Sequence, residues 1–323
     1  MPKAIRIHQT GGPEVLRLEE VPAGEPGPGE ARVRHGAIGV NFVDVYQRSG
    51  LYPLELPSGL GVEGAGKVEA VGPGVKDVRP GDRVAYMAGP GSYAEVRVLP
   101  ADRLVKLPDG VSDATAAALM LKGLTVHSLV RRAYPVKPGD TVLWHAAAGG
   151  VGLIAVQWLK ALGATVIGTV GSDEKAALAR ARGCDHVIVY TREDFVRRVR
   201  EITGGAGVPA VFDSVGKATF EGSIDCLRPL GIMVSFGNAS GPVAAFDPLL
   251  LSRKGSLFFT RPSVFHYVAA PTDLQRAGGE LLDLVKRGQL KAEIGGTWPL
   301  AEVAKVHRLL EGRATTGSLV LVP

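Results

Sequence analysis

The centre of the chain reads Thr141-Val142-Leu143-Trp144-His145-Ala146, followed at once by Ala147-Ala148-Gly149-Gly150-Val151-Gly152. The first six residues have the apolar composition of a buried strand, and an amphipathic segment, 150–162, follows. The turn has the pattern Ala-x-Gly-x-x-Gly, a variant of the dinucleotide fingerprint with alanine at its first position. Gly149 would let a pyrophosphate approach the backbone, and Gly152 would let the helix pack closely on the strand. We therefore expect a nucleotide-binding turn formed by Ala147, Gly149, Gly150, Val151 and Gly152.

Beyond this turn, short apolar runs alternate with amphipathic segments as far as residue 262. Such an alternation predicts an α/β domain with a doubly wound parallel sheet, the Rossmann arrangement. The predicted strands are 141–146, 165–170, 186–190, 210–214, 232–236 and 256–260. The predicted helices are 150–162, 173–182, 193–203, 220–227 and 248–253, and 124–133 before the turn also has a helical pattern.

The N-terminal third of the chain has a different residue pattern. Its short segments are separated by turns such as Pro26-Gly27-Pro28-Gly29 and Gly72-Pro73-Gly74, which predicts a compact, mostly antiparallel β domain. The C-terminal tail contains two helical segments, 273–287 and 301–311, and a final strand, 318–322. We expect this tail to return to the first domain. The predicted division is residues 1–122 with 263–323 for the β domain, and residues 123–262 for the nucleotide-binding domain.

The composition limits the class of protein. The chain has 323 residues, 46% of them hydrophobic, which is enough for two packed domains, and no apolar run reaches the ~20 residues of a membrane span. The N-terminus reads as a strand, so we expect no signal peptide. Two cysteines cannot build a disulfide scaffold or a thiolate zinc site, which favours a reducing, cytoplasmic location. The net charge of +5 (37 − 32) is modest and forms no basic stripe, so a nucleic-acid partner is not expected.

The end of the second predicted strand bears on the choice of nucleotide. NAD-selective sites place Asp or Glu there, to accept a hydrogen bond from the ribose 2′-hydroxyl. This strand ends in Gly171-Ser172, a small pair that leaves room for a phosphate, and Lys175 lies in the first turn of the next helix. Asp173 is expected to cap that helix. The pattern favours NADPH over NADH.

Motifs spread along the chain resemble those of a known family. The longest, from Gly139 to Lys160, reads Gly-Asp-x-x-Leu-x-x-x-Ala-Ala-Gly-Gly-x-Gly-x-x-x-x-Gln-x-x-Lys. The others are Ala37-Ile38-Gly39-Val40-Asn41-Phe42-x-Asp44, Gly61-Val62-Glu63-Gly64-Ala65-Gly66, Arg79-Pro80-Gly81-Asp82-Arg83-Val84, Val234-Ser235-Phe236-Gly237-Asn238 and Arg313-Ala314-Thr315-x-Gly317. Over its whole length the chain resembles the zinc-independent NADPH:quinone oxidoreductases, the zeta-crystallin-like branch of the medium-chain dehydrogenase/reductase superfamily.

The resemblance implies a GroES-like catalytic domain and a Rossmann domain, with NADPH and a quinone in the cleft between them, and a homodimer or homotetramer. Zinc-dependent relatives carry a metal-binding cysteine in the first motif and a histidine in the second. The corresponding residues of this chain are Asn41 and Val62. None of its seven histidines forms a metal-spaced pair with a cysteine or another histidine. We therefore expect no metal site.

Strand ends and the family resemblance both indicate which residues contact the cofactor. Ligands of open α/β sheets bind beyond the carboxyl ends of the strands. This rule nominates Ser172, Tyr190, Ser214, Phe236, Gly237, Asn238, Thr260 and Arg261. By resemblance, the contacts to the 2′-phosphate and adenosine would be Ser172, Lys175, Tyr190 and Arg313. Also by resemblance, the nicotinamide would lie between Gly150-Val151 and Asn41, Phe42 and Asp44, near the hydroxyl of Thr125.

Four residues are candidates for contact with the acceptor: Asn41, Tyr46, Tyr52 and Arg261. Tyr46 and Tyr52 would form an aromatic wall for a flat, conjugated substrate, with ordinary packing as the alternative. The amides of Asn41 and Asn238 would hold the nicotinamide carboxamide or polarise a substrate carbonyl, with an Asx-type turn as the alternative. Arg261 would approach the acceptor or the carboxamide.

Three hypotheses for function remain. The leading one is NADPH-dependent reduction of a quinone or another conjugated acceptor, which tolerates developing charge without a metal. The second is an NADPH-dependent alkenal or enoyl reductase, in which Tyr46 or Tyr52 would donate a proton to the α-carbon. The third is a non-enzymatic NADPH-binding or RNA-binding role, which no RNA-recognition signature accompanies.

Overall fold

The computed structural model describes residues 1–312 and 315–323. The chain divides into two compact units, one formed by Met1–Leu124 with Val268–Pro323 and the other by Thr125–Tyr267. The divisions expected from the sequence lie two and five residues earlier. The first division falls inside a single helix, Asp113–His127, so no loop marks it in the sequence.

The elements of the described chain follow one another in a regular order. The strands are β1 Lys3–Ile7, β2 Arg17–Glu20, β3 Glu30–Val40, β4 Ser58–Gly59, β5 Glu63–Val71, β6 Arg83–Met87, β7 Val96–Pro100, β8 Leu104–Lys106, β9 Thr141–Trp144, β10 Thr165–Val170, β11 His186–Val189, β12 Val208–Asp213, β13 Leu227–Ser235, β14 Phe258–Thr260, β15 Ile294–Pro299 and β16 Ser318–Val322. The helices are α1 Phe42–Arg48, α2 Asp113–His127, α3 Gly150–Ala161, α4 Asp173–Ala181, α5 Phe195–Ile202, α6 Phe220–Cys226, α7 Leu249–Arg253, α8 Val264–Tyr267, α9 Pro271–Lys286 and α10 Val303–Glu311.

The first unit is mostly antiparallel β-sheet. Its larger sheet has the order β15-β16-β3-β5-β6-β8, with β7 also paired to β3, and a three-stranded sheet has the order β2-β1-β4. β16 runs antiparallel to β3, which places the C-terminal tail in this unit. The core between the sheets includes Ile5, Ile38, Leu60 and Leu319.

A close approach in this unit positions the start of α1. Gly39 is the next-to-last residue of β3, and a Cβ atom there would lie 2.1 Å from Oε1 of Glu63 and 2.4 Å from the carbonyl oxygen of Ala117. Only glycine fits between these two groups. β3 therefore passes directly against the Glu63 carboxylate just before the chain turns into α1.

The second unit contains a six-stranded sheet with the order β11-β10-β9-β12-β13-β14, in which every neighbouring pair is parallel. The doubly wound parallel sheet predicted from the sequence is confirmed. The strand order reverses between β9 and β12, and ligands of such sheets bind beyond the carboxyl ends of the strands at that point.

Several predicted boundaries are wrong in this unit, most by one or two residues. β9 ends at Trp144 instead of residue 146, because Ala146 has a left-handed backbone with φ 55°. β13 begins at Leu227, five residues before the predicted start. The segment 124–133 is not one helix: α2 ends at His127, and Ser128–Ala133 forms a π-helix. The composition of that segment does not distinguish the two hydrogen-bond patterns.

No helix in the described part of the chain is both long enough and apolar enough to cross a membrane.

Candidate active site

Close contacts require the glycines of the turn between β9 and α3. A Cβ atom on Gly152 would lie 2.3 Å from the carbonyl oxygen of Ala146 and 2.7 Å from the carbonyl carbon of Ala147. A Cβ atom on Gly149 would lie 3.2 Å from the same oxygen, which is tight without being a clash. Gly149 is the N-cap of α3, so the amides of the first helical turn point out of the helix end. Such amides form a binding site for a phosphate group.

His145, directly before this turn, is buried, and its side chain contacts strand β10 and helix α6. Its Nδ1 lies 2.9 Å from Oγ1 of Thr169, and its Nε2 lies 3.0 Å from Oγ of Ser223. Ser223 donates its hydroxyl proton to Asp213 at 2.9 Å, so its oxygen accepts from His145. His145 is therefore a neutral ring with its proton on Nε2, and burial lowers its pKa. Because both ring nitrogens are engaged, His145 is not a metal ligand.

Asp213, at the end of β12, shapes the loop that follows. Its Oδ1 accepts the backbone N–H groups of Val215 at 2.7 Å and Gly216 at 3.0 Å. Its Oδ2 accepts from the hydroxyl of Thr219 at 2.7 Å. The loop is therefore held by the same carboxylate that anchors the His145 contacts.

The structure brings together several predicted cofactor contacts at this edge of the sheet. A Cβ atom on Gly237 would lie 2.4 Å from the carbonyl oxygen of Ser214, so the loop after β13 packs directly on the loop after β12. Ala239 donates its N–H to the same Ser214 oxygen at 3.2 Å. The residues placed at this edge are Ser214, Phe236, Asn238, Thr260 and Arg261, and Thr125 lies in the last turn of α2.

The end of β10 corrects one expectation. Ser172, and not Asp173, caps α4: the Ser172 hydroxyl accepts the backbone N–H of Lys175 at 3.3 Å, and Asp173 is the first helical residue. Tyr190 lies at the same place, because a Cβ atom on Gly171 would be 2.9 Å from its hydroxyl. Ser172, Lys175 and Tyr190 therefore surround one strand end. Arg313, the fourth predicted phosphate contact, lies outside the described residues.

In the first unit, Asn41 is the N-cap of α1 and is held by two carboxylates. Its backbone N–H donates to Oδ2 of Asp44 at 2.8 Å, and its Nδ2 donates to Oε1 of Glu63 at 2.7 Å. Glu63 is fully buried and also accepts from the ammonium group of Lys122 at 3.1 Å. The orientation of the Asn41 amide is thus determined, with its nitrogen directed at Glu63.

Asp44 is fully buried, and burial raises the pKa of its carboxyl to about 7. Its Oδ2 accepts from the hydroxyl of Tyr93 at 2.7 Å, and its Oδ1 has no hydrogen-bond partner among the described residues. These contacts hold the start of α1. The predicted contact of Asp44 with the cofactor stays a prediction.

Three aromatic residues that were predicted to belong to the site lie together on α1 and the segment that follows it in the sequence. The rings of Tyr46 and Tyr52 meet edge to face with centroids 5.3 Å apart, and the centroids of Phe42 and Tyr46 are 6.0 Å apart. Tyr52 donates its backbone N–H to the carbonyl oxygen of Tyr46 at 3.0 Å. With 38% of its surface exposed, Tyr52 leaves part of this aromatic group accessible.

Three residues of this site were not predicted from the sequence: Glu63, Lys122 and Tyr93. A usable signal existed for two of them. Glu63 begins a largely buried strand, and Lys122 lies in an Ala/Leu-rich helix. An acid and a base that each stand among apolar neighbours indicate a buried pair, because an isolated buried charge is too costly.

The donors of this region do not fit zinc. Asn41 donates to Glu63, and Val62 is a fully buried hydrocarbon side chain. Across residues 1–312 and 315–323, no group of three or more His, Cys, Asp or Glu side chains could hold a metal ion. Burial raises the pKa of Cys184 and of Cys226 to about 12, so neither thiol readily forms a thiolate ligand.

Comparison with known proteins places the chain among oxidoreductases. Two family models match: an alcohol dehydrogenase GroES-like domain over residues 27–109 and a zinc-binding dehydrogenase domain over residues 150–276. A quinone oxidoreductase of Pseudomonas aeruginosa is 54% identical, over 100% of both chains. The crystal structure of Escherichia coli quinone oxidoreductase complexed with NADPH has a TM-score of 0.98 at 49% identity, covering 99% of this chain and 100% of that one. A 2-haloacrylate reductase of Burkholderia is 47% identical over 100% of this chain and 99% of its own.

A GroES-like domain joined to a nucleotide-binding parallel sheet defines the medium-chain dehydrogenase/reductase architecture. Within that superfamily, the chain belongs to the quinone oxidoreductase family. It is therefore an enzyme, which leaves the non-enzymatic hypothesis without support.

Proposed function

We propose that the chain is an NADPH-dependent quinone reductase that works without a metal ion. The observation that carries the proposal is the Asn41 amide, fixed by Glu63 at the motif position where zinc-dependent relatives have a metal-binding cysteine. The 54% identity to a quinone oxidoreductase over the full length supports the choice of acceptor. The NADPH complex of the Escherichia coli relative supports the choice of cofactor.

The residues of the second unit fit NADPH. The glycine-rich turn permits close approach of a pyrophosphate, and the N-terminus of α3 provides amides for it. Ser172, Lys175 and Tyr190 would bind the 2′-phosphate through two hydroxyls and an ammonium group. When bound, NADPH supplies the reducing electrons.

Asn41 would orient a carbonyl group of the acceptor or of the nicotinamide carboxamide. One N–H of its amide is donated to Glu63, and a second N–H on the same nitrogen suits a carbonyl oxygen. Because Glu63 holds the side-chain amide of Asn41 and Asp44 holds its backbone N–H before any ligand arrives, no reorganisation is needed on binding. The rings of Tyr46 and Tyr52 would cover a flat acceptor and exclude water from it. Arg261 would approach the same acceptor or the carboxamide.

The absence of zinc chemistry is part of the proposal. In zinc-dependent relatives a metal stabilises the alkoxide of a simple alcohol, whereas a quinone spreads the developing charge over its own conjugated system. Among the described residues, Lys122 balances the charge of Glu63. The two form a buried ion pair in which Nζ of Lys122 lies 3.1 Å from Oε1 of Glu63. A conjugated acceptor therefore suits this donor set better than an alcohol.

A second candidate function is reduction of an activated carbon–carbon double bond. The 47% identity to a 2-haloacrylate reductase favours it. In that reaction Tyr46 or Tyr52 would donate a proton to the α-carbon, so a hydroxyl would be required.

Steady-state kinetics with NADPH distinguish the two functions. Simple benzoquinones and naphthoquinones are compared with alkenals, enoyl thioesters and 2-chloroacrylate. We expect the highest kcat/KM for a quinone, and we expect Tyr46→Phe and Tyr52→Phe to retain quinone reduction because both variants keep the ring. Higher kcat/KM for an enoyl or haloacrylate substrate, abolished by one of these two variants, would replace the quinone assignment with the second function.

Three further expectations rest on the resemblance and stay predictions: acceptor binding between the two domains, a homodimer or homotetramer, and a cytoplasmic location. Light scattering of the purified protein tests the second of these directly.

A further inference from the structure

The acid nearest to the end of β10 is Asp173, three residues after the strand ends at Val170. In NAD-selective sites an acid at this strand end accepts hydrogen bonds from the ribose hydroxyls. In NADP-dependent sites the same region holds a phosphate, which a carboxylate repels. Asp173 is therefore an unfavourable neighbour for the cofactor that we propose for this chain.

Arg192 binds this carboxylate from the neighbouring strand. It lies in the segment after β11, the strand that pairs with β10, and its two terminal nitrogens donate to the two oxygens of Asp173 at 2.6 and 2.5 Å. This two-point geometry is the one in which a guanidinium matches a carboxylate best. The ion pair lowers the pKa of Asp173, so the carboxyl stays ionised and the pair has no net charge.

The pair lies beside the predicted phosphate contacts. Thr191 donates its hydroxyl to the carbonyl oxygen of Gly171 at 3.3 Å, and the Tyr190 hydroxyl lies next to Gly171. The three consecutive residues Tyr190, Thr191 and Arg192 therefore all reach the β10–α4 turn. Ser172, the cap of α4, directly precedes Asp173.

We propose that Arg192 sets the cofactor preference of this chain by binding Asp173. With both carboxylate oxygens bound to the guanidinium, Asp173 is a weaker acceptor for the ribose hydroxyls of NADH, and its balanced charge repels the 2′-phosphate of NADPH less. Arg192 is thus a specificity-determining residue that acts through Asp173. This inference rests on the proposed use of NADPH.

The test measures binding instead of turnover. Dissociation constants of NADPH and NADH are obtained by fluorescence titration of the full-length wild type, Arg192→Gln and the double variant Asp173→Asn/Arg192→Gln. We expect Arg192→Gln to bind NADPH roughly tenfold more weakly and NADH at least as tightly as the wild type. In the double variant the freed charge is gone, so we expect NADPH affinity to return to within about threefold of the wild type.

A matched control is Arg197→Gln. Arg197 is an exposed arginine on α5 paired with Glu201, and its replacement is expected to change neither dissociation constant. Circular dichroism of each variant verifies folding.

Two results would overturn the inference. An unchanged preference in Arg192→Gln would show that the pair has no effect on the cofactor. A double variant as weak for NADPH as the single variant would show that Arg192 contacts the phosphate itself. Wild-type protein that does not bind NADPH would instead contradict the proposed function, so the two failures are distinguishable.

Discussion

The hydroxyl of Tyr93 donates a hydrogen bond of 2.7 Å to Oδ2 of Asp44, and this bond is the last in a directional series. Arg48 donates to Nδ1 of His307 at 3.2 Å, so the ring proton lies on Nε2. That Nε2 lies 3.1 Å from the Tyr93 oxygen and donates to it. Every bond of the series points from Arg48 towards Asp44, the residue that holds the backbone of Asn41.

The raised pKa of Asp44 predicts an unusual pH dependence of stability. Its carboxyl has a pKa of about 7 in the folded protein instead of 3.8, so the folded state keeps a proton that the unfolded chain has lost. This group's contribution to stability is therefore lost as pH rises from about 4 to about 7. Asp44→Asn, which resembles the protonated acid, removes this dependence. Between pH 5 and pH 7 the free energy of unfolding of the wild type should fall relative to that of the variant by on the order of 2 kcal/mol.

Urea unfolding at several pH values measures this difference. Curves for the wild type and Asp44→Asn that stay parallel from pH 5 to pH 8 would contradict the assignment of a neutral, buried Asp44.

The contacts of Gly152 predict a severe effect for a very small change. Gly152→Ala places a methyl group 2.3 Å from the carbonyl oxygen of Ala146, so α3 must move away from β9. We expect NADPH binding to weaken at least roughly tenfold and the protein to be destabilised. Gly149→Ala, where the corresponding distance is 3.2 Å, is the matched control for stability and should destabilise the fold less. Equal effects of the two variants would argue against the close packing at Gly152.

The hydroxyl of Ser223 links the glycine-rich turn to the loop after β12. Ser223→Ala leaves Nε2 of His145 without its acceptor and removes one donor from Asp213. We expect a loss of about 1–3 kcal/mol in the free energy of unfolding and weaker NADPH binding, because both loops lose a common support. Thr169→Val, which removes the donor to Nδ1, should act in the same direction. Ser252→Ala, an exposed serine of α7, is the control.

Calorimetry of folding and titration with NADPH separate two roles for this link. If the stability falls while NADPH affinity is unchanged, the His145 contacts support the fold alone.

The predicted role of Lys175 is specific to the 2′-phosphate. Lys175→Ala should weaken NADPH binding roughly tenfold and leave NADH binding unchanged, because only NADPH carries that charge. Arg313→Ala is expected to act alike on the basis of the family resemblance. Arg180→Ala, an exposed position further along α4, is the control. Parallel losses for both nucleotides in Lys175→Ala would refute the phosphate contact.

The proposed independence from metal predicts that chelation has no effect. After prolonged dialysis against EDTA, NADPH-dependent quinone reduction should equal that of untreated protein, and elemental analysis should find zinc far below one ion per chain. Activity that is lost on dialysis and restored by added zinc would overturn this part of the proposal.

Local sequence patterns predict the succession of strands and helices in the second unit. They do not predict the contacts of the site in the first unit. The strands of the parallel sheet are each a short apolar run next to a helix, so the alternation along the chain predicts them. The cap of α4 was harder, because Ser172 and Asp173 both suit an N-cap and only the position of the helix start distinguishes them.

The contacts of Asn41 and Asp44 depend on residues far away in the sequence. Glu63 and Lys122 are 59 positions apart, and Tyr93 and His307 are 214 positions apart. The contact between Tyr93 and His307 also requires the chain to leave the first unit and return to it. No local pattern in the sequence shows which side chains face each other in either pair.

The position of Arg48 restricts how protons move through the first unit. Transfer of a proton along the series would require a new proton to arrive at Nδ1 of His307, where the guanidinium of Arg48 already donates. An arginine side chain does not release its protons at physiological pH. The series therefore cannot be resupplied with protons from the Arg48 end. The proton that completes reduction of an acceptor does not reach that acceptor along this route.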